Sequence, residues 1–317
     1  MPTNGSSKPL LFLLTGFPGL EYLHPWIAAS ISLMYFVAIC GNGTVLAIIQ
    51  AELSLHKPMY LFLAMLAVTD LCLAATSLPT MLRLIFWFQS HEIVFEGCVV
   101  QMFFIHGFSA VESGILLAMA FDRYLAICKP LHYSAILSCP TITKLVSAAV
   151  VRGLSLMTPL TCMVSSLSYC GPRVIAHSYC EHMSVVKLAC GNTWANNIYG
   201  ITAATIMVGL DSILITISYM LILRAVMGLP SKEARLKSFG TCGSHICVIL
   251  LFYTPGLFSF YTQRWGQSIP TYLHILTADL YLLVPPMLNP LIYGIRTKPI
   301  RERVLTLVWG KGIQPVS

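Results

Sequence analysis

Residues 99–124 read VVQMFFIHGFSAVESGILLAMAFDRY and decide the class of this chain. The apolar run 99–121 is long enough to cross a bilayer, since about 20 helical residues span ~30 Å of hydrocarbon. Glu112 lies near the middle of the run, where a carboxylate costs at least about 2.5–3.5 kcal/mol by insertion scales. The run therefore predicts a membrane-spanning helix, and Glu112 predicts a functional position with a partner elsewhere in the chain.

The composition extends this interpretation to the whole chain. It is 56% hydrophobic and 10% charged, with a mean hydropathy of +0.77, whereas soluble domains are about 25% charged. The chain is therefore a membrane protein. Seven apolar stretches have the length of a membrane span. They are residues 26–49, 59–82, 99–121, 145–163, 198–223, 239–261 and 272–295.

The basic residues orient these spans. The four segments that contain 13 of the 19 Lys and Arg residues are 50–58, 122–144, 224–238 and 296–317. The alternate segments contain five, and Arg152 lies inside the fourth span. Because basic residues favour the cytoplasmic side, the N-terminus is predicted to lie outside. The net charge of +7 then reflects a basic inner face beside anionic lipid and requires no nucleic-acid partner.

The predicted fold is an all-α membrane protein, a seven-transmembrane helix bundle with an extracellular N-terminus. Its parts are an extracellular segment 1–25, a bundle 26–295 and a cytoplasmic tail 296–317. Residues 296–309, RTKPIRERVLTLVW, present one basic and one apolar face, which favours a short amphipathic eighth helix on the membrane.

Two further features concern the N-terminal part of the chain: glycosylation patterns and a short apolar segment. Asn4 begins an Asn-Gly-Ser glycosylation acceptor on the predicted outer side. Asn42 begins a similar pattern, but it lies inside the first span, where glycosylation cannot occur. Residues 10–14, LLFLL, are too short for the apolar region of a cleavable signal peptide, so none is expected.

Four of the 11 cysteines fall on the predicted outer side, which is oxidising and favours two disulfides. They are Cys98, Cys170, Cys180 and Cys190, and spacing leaves their three possible pairings open. The string HSYCEH, with His177, Cys180 and His182, also has a spacing that could ligate a soft metal ion. A disulfide at Cys180 would remove the thiolate that such a site needs, so a disulfide-linked loop is the preferred interpretation.

Six short sequence motifs lie at or near the predicted inner ends of the spans. They are LHKPMYLF at 55–62, LAVTD at 66–70, MAFDRYLAICKPLHY at 119–133, SY at 218–219, KSFGTCGSH at 237–245 and PPMLNPLIYGIRTK at 285–298. Together they resemble the odorant receptors, a branch of the rhodopsin-like G-protein-coupled receptors, over about residues 16–303. The strings PGLEYLHPWI at 18–27 and HSYCEHMSVVKLAC at 177–190 resemble the class I, or fish-like, branch.

The resemblance implies the disulfides Cys98–Cys180 and Cys170–Cys190, and it implies a switch for protein coupling at the inner face. The switch residues would be Asp122, Arg123, Tyr124, Tyr219, Asn289, Pro290 and Tyr293. A charged Asp-Arg pair at the cytosolic end of the third span can rearrange when a partner docks, whereas within the bilayer it would have to stay paired.

The resemblance also implies a function. It points to an odorant receptor that binds a small extracellular molecule and activates a heterotrimeric G protein of the stimulatory, olfactory type, which raises cyclic AMP. Such a protein lies in the plasma membrane, here the ciliary membrane of sensory neurons, and is not an enzyme.

Asp70 is the predicted partner of Glu112. Each lies about 17 Å from the inner end of its span, at 1.5 Å per residue, so the two acids share one depth. They would repel each other unless one is protonated or a cation lies between them. The resemblance places Asp70 at the receptor sodium site, and Glu112 would add a second oxygen donor for a hard cation such as Na⁺. A protonated Glu112 hydrogen-bonded to Asp70 is the alternative.

Arg264 is the predicted anchor for a ligand. It lies nine residues beyond Pro255, about 13.5 Å outward along the sixth span. Its guanidinium can bind a carboxylate in a bidentate pair, and the class I branch is associated with carboxylic acids. A short or medium-chain carboxylic acid is therefore the expected ligand. The alternative is a solvated or lipid-facing arginine.

Further residues are predicted to line the same pocket. His106 could face it, with Ser109 one turn deeper, although a packing histidine is almost as well supported. The apolar wall typical of small-molecule sites would come from two spans. Its members would be Tyr253, Gly256, Leu257 and Phe260 on the sixth and Ala203 and Met207 on the fifth. The buried acids Asp211 and Asp279 have no assigned partner, and Arg152 is one candidate.

Two other functions compete with the odorant receptor. A receptor of the same fold could sense a metabolite outside the nose, because these strings do not specify tissue. A seven-helix transporter or channel could use the intramembrane acids as an ion path. No inverted repeat supports transport, however, and the Asp-Arg-Tyr and Asn-Pro-x-x-Tyr strings would then be unexplained.

Overall fold

The computed structural model describes residues 10–86, 91–170, 172–228, 231–266 and 268–309. Most of these residues are helical. We label eight helices in chain order. They are α1 (His24–Ala51), α2 (Pro58–Phe86), α3 (Phe95–Cys128), α4 (Cys139–Ser165), α5 (Trp194–Met227), α6 (Lys232–Trp265), α7 (Thr271–Arg296) and α8 (Lys298–Trp309). Short helices at Tyr133–Ile136 and His182–Val186 lie in the connections.

Helices α1 to α7 are each long and apolar enough to cross a membrane, which confirms the seven predicted spans. Their ends extend beyond the apolar stretches because polar residues continue the helices past the hydrocarbon. The largest extension at an N-terminus among the first four is in α4, which begins at Cys139 and has Pro140 in its first turn, where proline is well tolerated.

Helix α3 lies at the centre of the bundle and contacts α2, α4, α5 and α6. Its contact with α4 is close because small residues meet there. A Cβ atom on Gly114 would lie 2.6 Å from the Cβ of Ala149, and one on Gly153 would lie 3.2 Å from the backbone oxygen of Gly107. This tight packing brings the long side chain of α4, Arg152, up against α3.

Helix α7 is continuous but contains three prolines, Pro285, Pro286 and Pro290, and α1 compensates for one of them. Pro290 has no N–H to donate to the carbonyl of Pro286 one turn earlier. Asn42 of α1 donates to this carbonyl over 2.9 Å. A Cβ atom on Gly41 would lie 2.7 Å from the Pro290 ring. The two helices therefore touch at the point where α7 can bend.

The outer face carries two small sheets that the sequence did not predict. Strand β1 (Leu11–Leu14) pairs antiparallel with β2 (His91–Val94) and parallel with β4 (Val174–Ile175). In the loop between α4 and α5, β3 (Ser168–Tyr169) pairs with β5 (Ala189–Cys190). The LLFLL segment thus forms a strand whose alternate residues Phe12 and Leu14 are buried.

Two disulfides hold this outer layer. Cys98, near the start of α3, is bonded to Cys180, and Cys170 is bonded to Cys190 within the loop. These are the pairs that the resemblance implies. The first bond fixes the middle of the loop over the centre of the bundle.

At the inner end, α8 follows α7 after a one-residue break at Thr297. Its Ile300 is buried, while Arg303 forms an ion pair with Glu52 between α1 and α2. The predicted short amphipathic eighth helix is therefore present. It is attached to the bundle through the apolar contacts of Ile300 and Val304 and through the ion pair of Arg303.

Candidate functional site

A small cavity lies at the outer end of the bundle, between α3, α4, α5, α6 and the loop that follows α4. Of the predicted ligand-binding residues, the structure brings five to its wall: His106, Ala203, Met207, Phe260 and Arg264. The α5 wall is formed around a π-helical turn at Thr205–Gly209, and such turns occur frequently at functional sites.

Arg264 reaches the cavity from the last turn of α6. Its Nε donates to Asn197 Oδ1 over 3.0 Å, and a terminal nitrogen donates to the carbonyl of Phe260 over 2.8 Å. Gly200 makes room for the rest of the guanidinium, since a Cβ atom there would lie 2.6 Å from an Arg264 nitrogen and 2.9 Å from His182. The arginine is thus held in the bundle and does not face the lipid.

Glu181 and His182 also line the cavity, although the sequence did not predict either of them as a pocket residue. Glu181 lies next to Cys180, so the Cys98–Cys180 disulfide brings both residues over the bundle. The implied pairing of Cys180 with Cys98 was therefore the feature from which the position of these two residues could have been predicted. Glu181 accepts a hydrogen bond from the backbone N–H of Ser184 over 2.7 Å, and the amide of Gln263, in its flipped orientation, donates to the same carboxylate over 2.6 Å.

The loop residues have shifted pKa values. Burial alone would raise the pKa of Glu181, but His177, His182 and the backbone N–H of Met183 outweigh it and lower that pKa. Burial lowers the pKa of His177 to about 4 and that of His182 to about 3, although Glu181 opposes both shifts. At neutral pH the cavity is therefore lined by an anionic Glu181, a cationic Arg264 and a neutral His182.

The cavity is contracted. The centre of a water molecule can occupy about 30 Å³ of it, room for one or two water molecules. A carboxylic acid of several carbons needs more space than this. Ligand entry therefore requires the walls to move apart.

The other four predicted pocket residues lie outside the wall of this cavity. Ser109 is buried near the ring of Tyr281, and Gly256 packs under the same ring. Leu257 packs against the main apolar core. Tyr253 hydrogen-bonds to Ser113, 2.8 Å away. Nine-residue spacing along α6 placed Arg264 well, but it could not show which neighbours face inward.

A buried ion pair joins α4 to α5 below the cavity. Arg152 donates to both carboxylate oxygens of Asp211, over 2.6 and 2.7 Å. Ser113 of α3 donates to the same carboxylate over 2.6 Å. Because Ser113 has one hydrogen, the hydroxyl of Tyr253 must donate to Ser113. Four helices, α3 to α6, therefore meet in one hydrogen-bonded network. Arg152, one candidate from the sequence, is the partner of Asp211.

The acid pair has a different environment. Asp70 and Glu112 are both buried, and the charge of Asp70 acts directly on Glu112. Asn289 donates to one Asp70 oxygen over 3.0 Å and also faces Glu112. One oxygen of each acid is buried without a hydrogen-bond partner. Two free carboxylate oxygens and an amide fit the oxygen ligands that a hard cation needs.

The predicted switch residues gather at the inner end of the bundle. Asp122 lies 3.4 Å from Arg123 and accepts a hydrogen bond from Tyr133 over 2.6 Å. Tyr219 hydrogen-bonds to His245 of the KSFGTCGSH string. Tyr124 packs on α5 and α6, Tyr293 is buried near Tyr219 and Arg123, and Asn289 and Pro290 lie deeper in α7.

Three predicted features remain: the possible metal site at Cys180, the partner of Asp279 and the glycosylation site at Asn4. Cys180 is in a disulfide, and the part of the chain that the structure describes holds no group of three His, Cys, Asp or Glu residues arranged for a metal ion. Asp279 accepts a hydrogen bond from the hydroxyl of Ser178 in the outer loop. Asn4 lies outside the described residues.

Comparison with known proteins identifies the family. The olfactory receptor family model matches residues 31–311. Human olfactory receptor 52K1 is 55% identical to this chain, over 99% of this chain and the full length of the relative. Human olfactory receptors 52K2 and 52R1 are 56% and 53% identical, over 94% and 95% of this chain and 95% and 96% of the relatives. The chain therefore belongs to the olfactory receptor family, and it is a multi-pass membrane receptor of the G-protein-coupled kind, with an odorant as its ligand.

Proposed function

We propose that this receptor detects short or medium-chain carboxylic acids through Arg264. The observation that carries the proposal is the position of that guanidinium: it lies in the wall of the outer cavity beside the apolar side chains of Phe260, Ala203 and Met207. A carboxylate can bind a guanidinium in a bidentate pair, and an alkyl chain can lie along the apolar wall. His106 would line the same site.

Binding of an acid would rearrange the bonds of Arg264. The guanidinium is attracted by Glu181 and bonded to Asn197, so a ligand carboxylate must compete with both. Because Arg264 is on α6, this exchange would displace the outer half of that helix. Met207 on the opposite wall has its carbonyl 3.5 Å from Ser113, which is bonded to Tyr253 of α6. Expansion of the cavity would therefore also reach α6 through this network.

The proposed partner is a heterotrimeric G protein of the stimulatory, olfactory type, with cyclic AMP as the product of signalling. Arg123 is held by Asp122, and its release would create a cationic surface for the partner. The proposed location is the plasma membrane, in the cilia of sensory neurons, with a glycan on Asn4.

Na⁺ would act as an allosteric ion at Asp70 and Glu112. Each acid has one unpartnered oxygen. Asn289 donates to the other oxygen of Asp70 and lies next to Pro290, where α7 can bend. A cation there would hold α2, α3 and α7 together in the inactive state.

The test is a cyclic AMP assay in cells that express the receptor at their surface, with straight-chain carboxylic acids of graded length as stimuli. Wild type is compared with Arg264→Ala and with Gly200→Ala, which keeps the arginine but places a methyl group against its guanidinium. We expect responses to acids to be lost in the first variant and weakened about tenfold in the second.

Surface expression, measured by antibody binding to an N-terminal tag, is the control for both variants. A wild type that ignores every acid but responds to alcohols or aldehydes would retain the receptor and exclude the carboxylate ligand. Acid responses that survive Arg264→Ala unchanged would exclude the anchor.

A further inference from the structure

A second cavity lies at the outer end of the bundle on the opposite side from Arg264. It is a groove of about 310 Å³ between α1 and α7, covered by the N-terminal segment through Phe17 and Leu20. Trp26, Tyr272 and Leu276 line it and are between one third and three quarters exposed. The groove is therefore open on the surface of the bundle between α1 and α7.

Among the described residues that line this groove, Asp279 is the one with a charged side chain. Asp279 is 4% exposed. One of its oxygens accepts a hydrogen bond from Ser178, and the other is buried without a partner. Within the described part of the chain, no Lys, Arg or His nitrogen lies within 4 Å of the carboxylate. A buried carboxylate needs a cation or a proton to compensate its charge.

We propose that this groove binds a lipophilic ammonium ion, with its nitrogen on the free oxygen of Asp279 and its alkyl chain between α1 and α7. The positive charge of the head complements the carboxylate of Asp279, the one charged group among the described lining residues. The alkyl chain would cover the apolar side chains Ile27, Leu280 and Leu283, which line the rest of the cavity. The proposed ligand class is an amine with a chain of about six to ten carbons.

Charge complementarity distinguishes this ligand from its neutral relatives. An alkanol could donate one hydrogen bond to Asp279, but it would leave the buried negative charge uncompensated. A carboxylic acid would place a second acid beside the first, which is unfavourable for two anions. The groove should therefore prefer the amine, whereas the cavity at Arg264 is proposed to prefer the acid.

The groove can also influence signalling. α7 runs from Asp279 to the bend at Pro290, and α1 contacts α7 at both places. A ligand that fixes the outer ends of α1 and α7 would restrain this bend. The site is then allosteric with respect to Arg264.

The experiment measures the melting temperature of the full-length receptor in lipid nanodiscs as n-octylamine is added, with 1-octanol and octanoic acid as matched probes. We expect octylamine to raise the melting temperature of wild type by several degrees, and Asp279→Asn to require at least ten times more amine for the same rise. Asn keeps an oxygen that can accept the Ser178 hydrogen bond, so this variant should fold.

Two further variants separate the possible outcomes. Ser30→Trp fills the groove from an exposed position on α1 and should abolish the shift with the carboxylate intact. Arg264→Ala should leave the shift unchanged, so failure of the acid-sensing proposal and failure of this one are distinguishable. Equal shifts with octanol and octylamine, or an equal amine shift in Asp279→Asn, would overturn the inference.

Discussion

Two groups of buried charges lie in the membrane core of this receptor, and they are constructed in opposite ways. Asp211 is paired with Arg152 in a bidentate contact and receives a further hydrogen bond from Ser113. Asp70 has a second acid, Glu112, as its charged neighbour, and each keeps one oxygen without a partner. Every carboxylate oxygen of the first group has a partner within the chain, and we call this the complete group. In the second, incomplete group the two negative charges need a proton or a cation to compensate them.

This difference separates a structural site from a regulatory one. A buried ion pair with every acceptor used fixes the helices that contribute to it. Two buried acids without a base can change their occupant, either a proton or a cation, and such a change alters the contacts between helices. The cavity at Arg264 lies between the two cases, because Glu181 attracts Arg264 but does not form a contact ion pair with it.

The largest effect is expected from breaking the complete group. Arg152→Leu leaves Asp211 buried without its cation, and removal of one partner of a buried pair costs about 3–5 kcal/mol. We expect a loss of surface expression and a markedly lower melting temperature for the purified receptor. Arg152→Leu combined with Asp211→Leu serves as the control, because apolar replacement of both partners is often neutral. A single variant no less stable than the double one would show that burial of Asp211 without its cation costs little.

A smaller effect concerns the buried histidines of the outer loop. The pKa of His177 lies at about 4 and that of His182 at about 3, against about 6.5 in the unfolded chain. Between these values the unfolded state binds more protons, so stability falls as the pH decreases from 6.5 and is constant above it. At pH 5 the loss is roughly 2 kcal/mol for each histidine.

The measurement is the melting temperature of the purified receptor between pH 5 and 8. His177→Gln should remove part of the decrease at low pH while leaving the value at pH 8 nearly unchanged. A profile that stays flat down to pH 5 in wild type would contradict the burial of neutral histidines.

The fold followed from the sequence to a large extent, because hydrocarbon thickness sets the length of every span. Apolar stretches of suitable length sufficed to place seven helices, and the basic residues oriented them. The small sheets could not be predicted in this way. Leu11–Leu14 pairs with segments some 80 and 160 residues further along, and nothing within four apolar residues specifies partners at that distance.

The site was predictable only where depth alone determines position. Asp70 and Glu112 were placed at one level by counting residues, and Arg264 was placed at the outer end of α6 in the same manner. Whether a side chain faces the cavity depends on helix rotation and on the π-helical turn at Thr205–Gly209, which shifts every residue after it. Glu181 and Gly200 were missed because an irregular loop and a contact between two helices bring them to the cavity.

The incomplete group offers a test of its own. If Na⁺ binds between Asp70 and Glu112, exchange of sodium for N-methylglucamine should lower the melting temperature. A ligand at ten times its dissociation constant stabilises the folded state by about 1.4 kcal/mol. Glu112→Gln should lose most of this dependence, while Arg152→Lys, which changes the complete group, should keep it. No sodium dependence in wild type would indicate a protonated acid pair without a bound ion, and equal dependence in wild type and Glu112→Gln would exclude Glu112 as a ligand of the ion.

The smallest expected effect is at the intermediate site, where it can show that Glu181 competes with the ligand for Arg264. Glu181→Gln removes the negative charge but keeps an oxygen that can accept the hydrogen bond of Ser184. An incoming carboxylate then meets less repulsion, so the acid concentration for half-maximal cyclic AMP should fall about threefold, or roughly 0.6 kcal/mol. Octanol serves as the neutral control and should be unaffected, because no charge is exchanged when it binds. If acids and octanol weakened together, Glu181 would act through the folding of the loop and not through its charge.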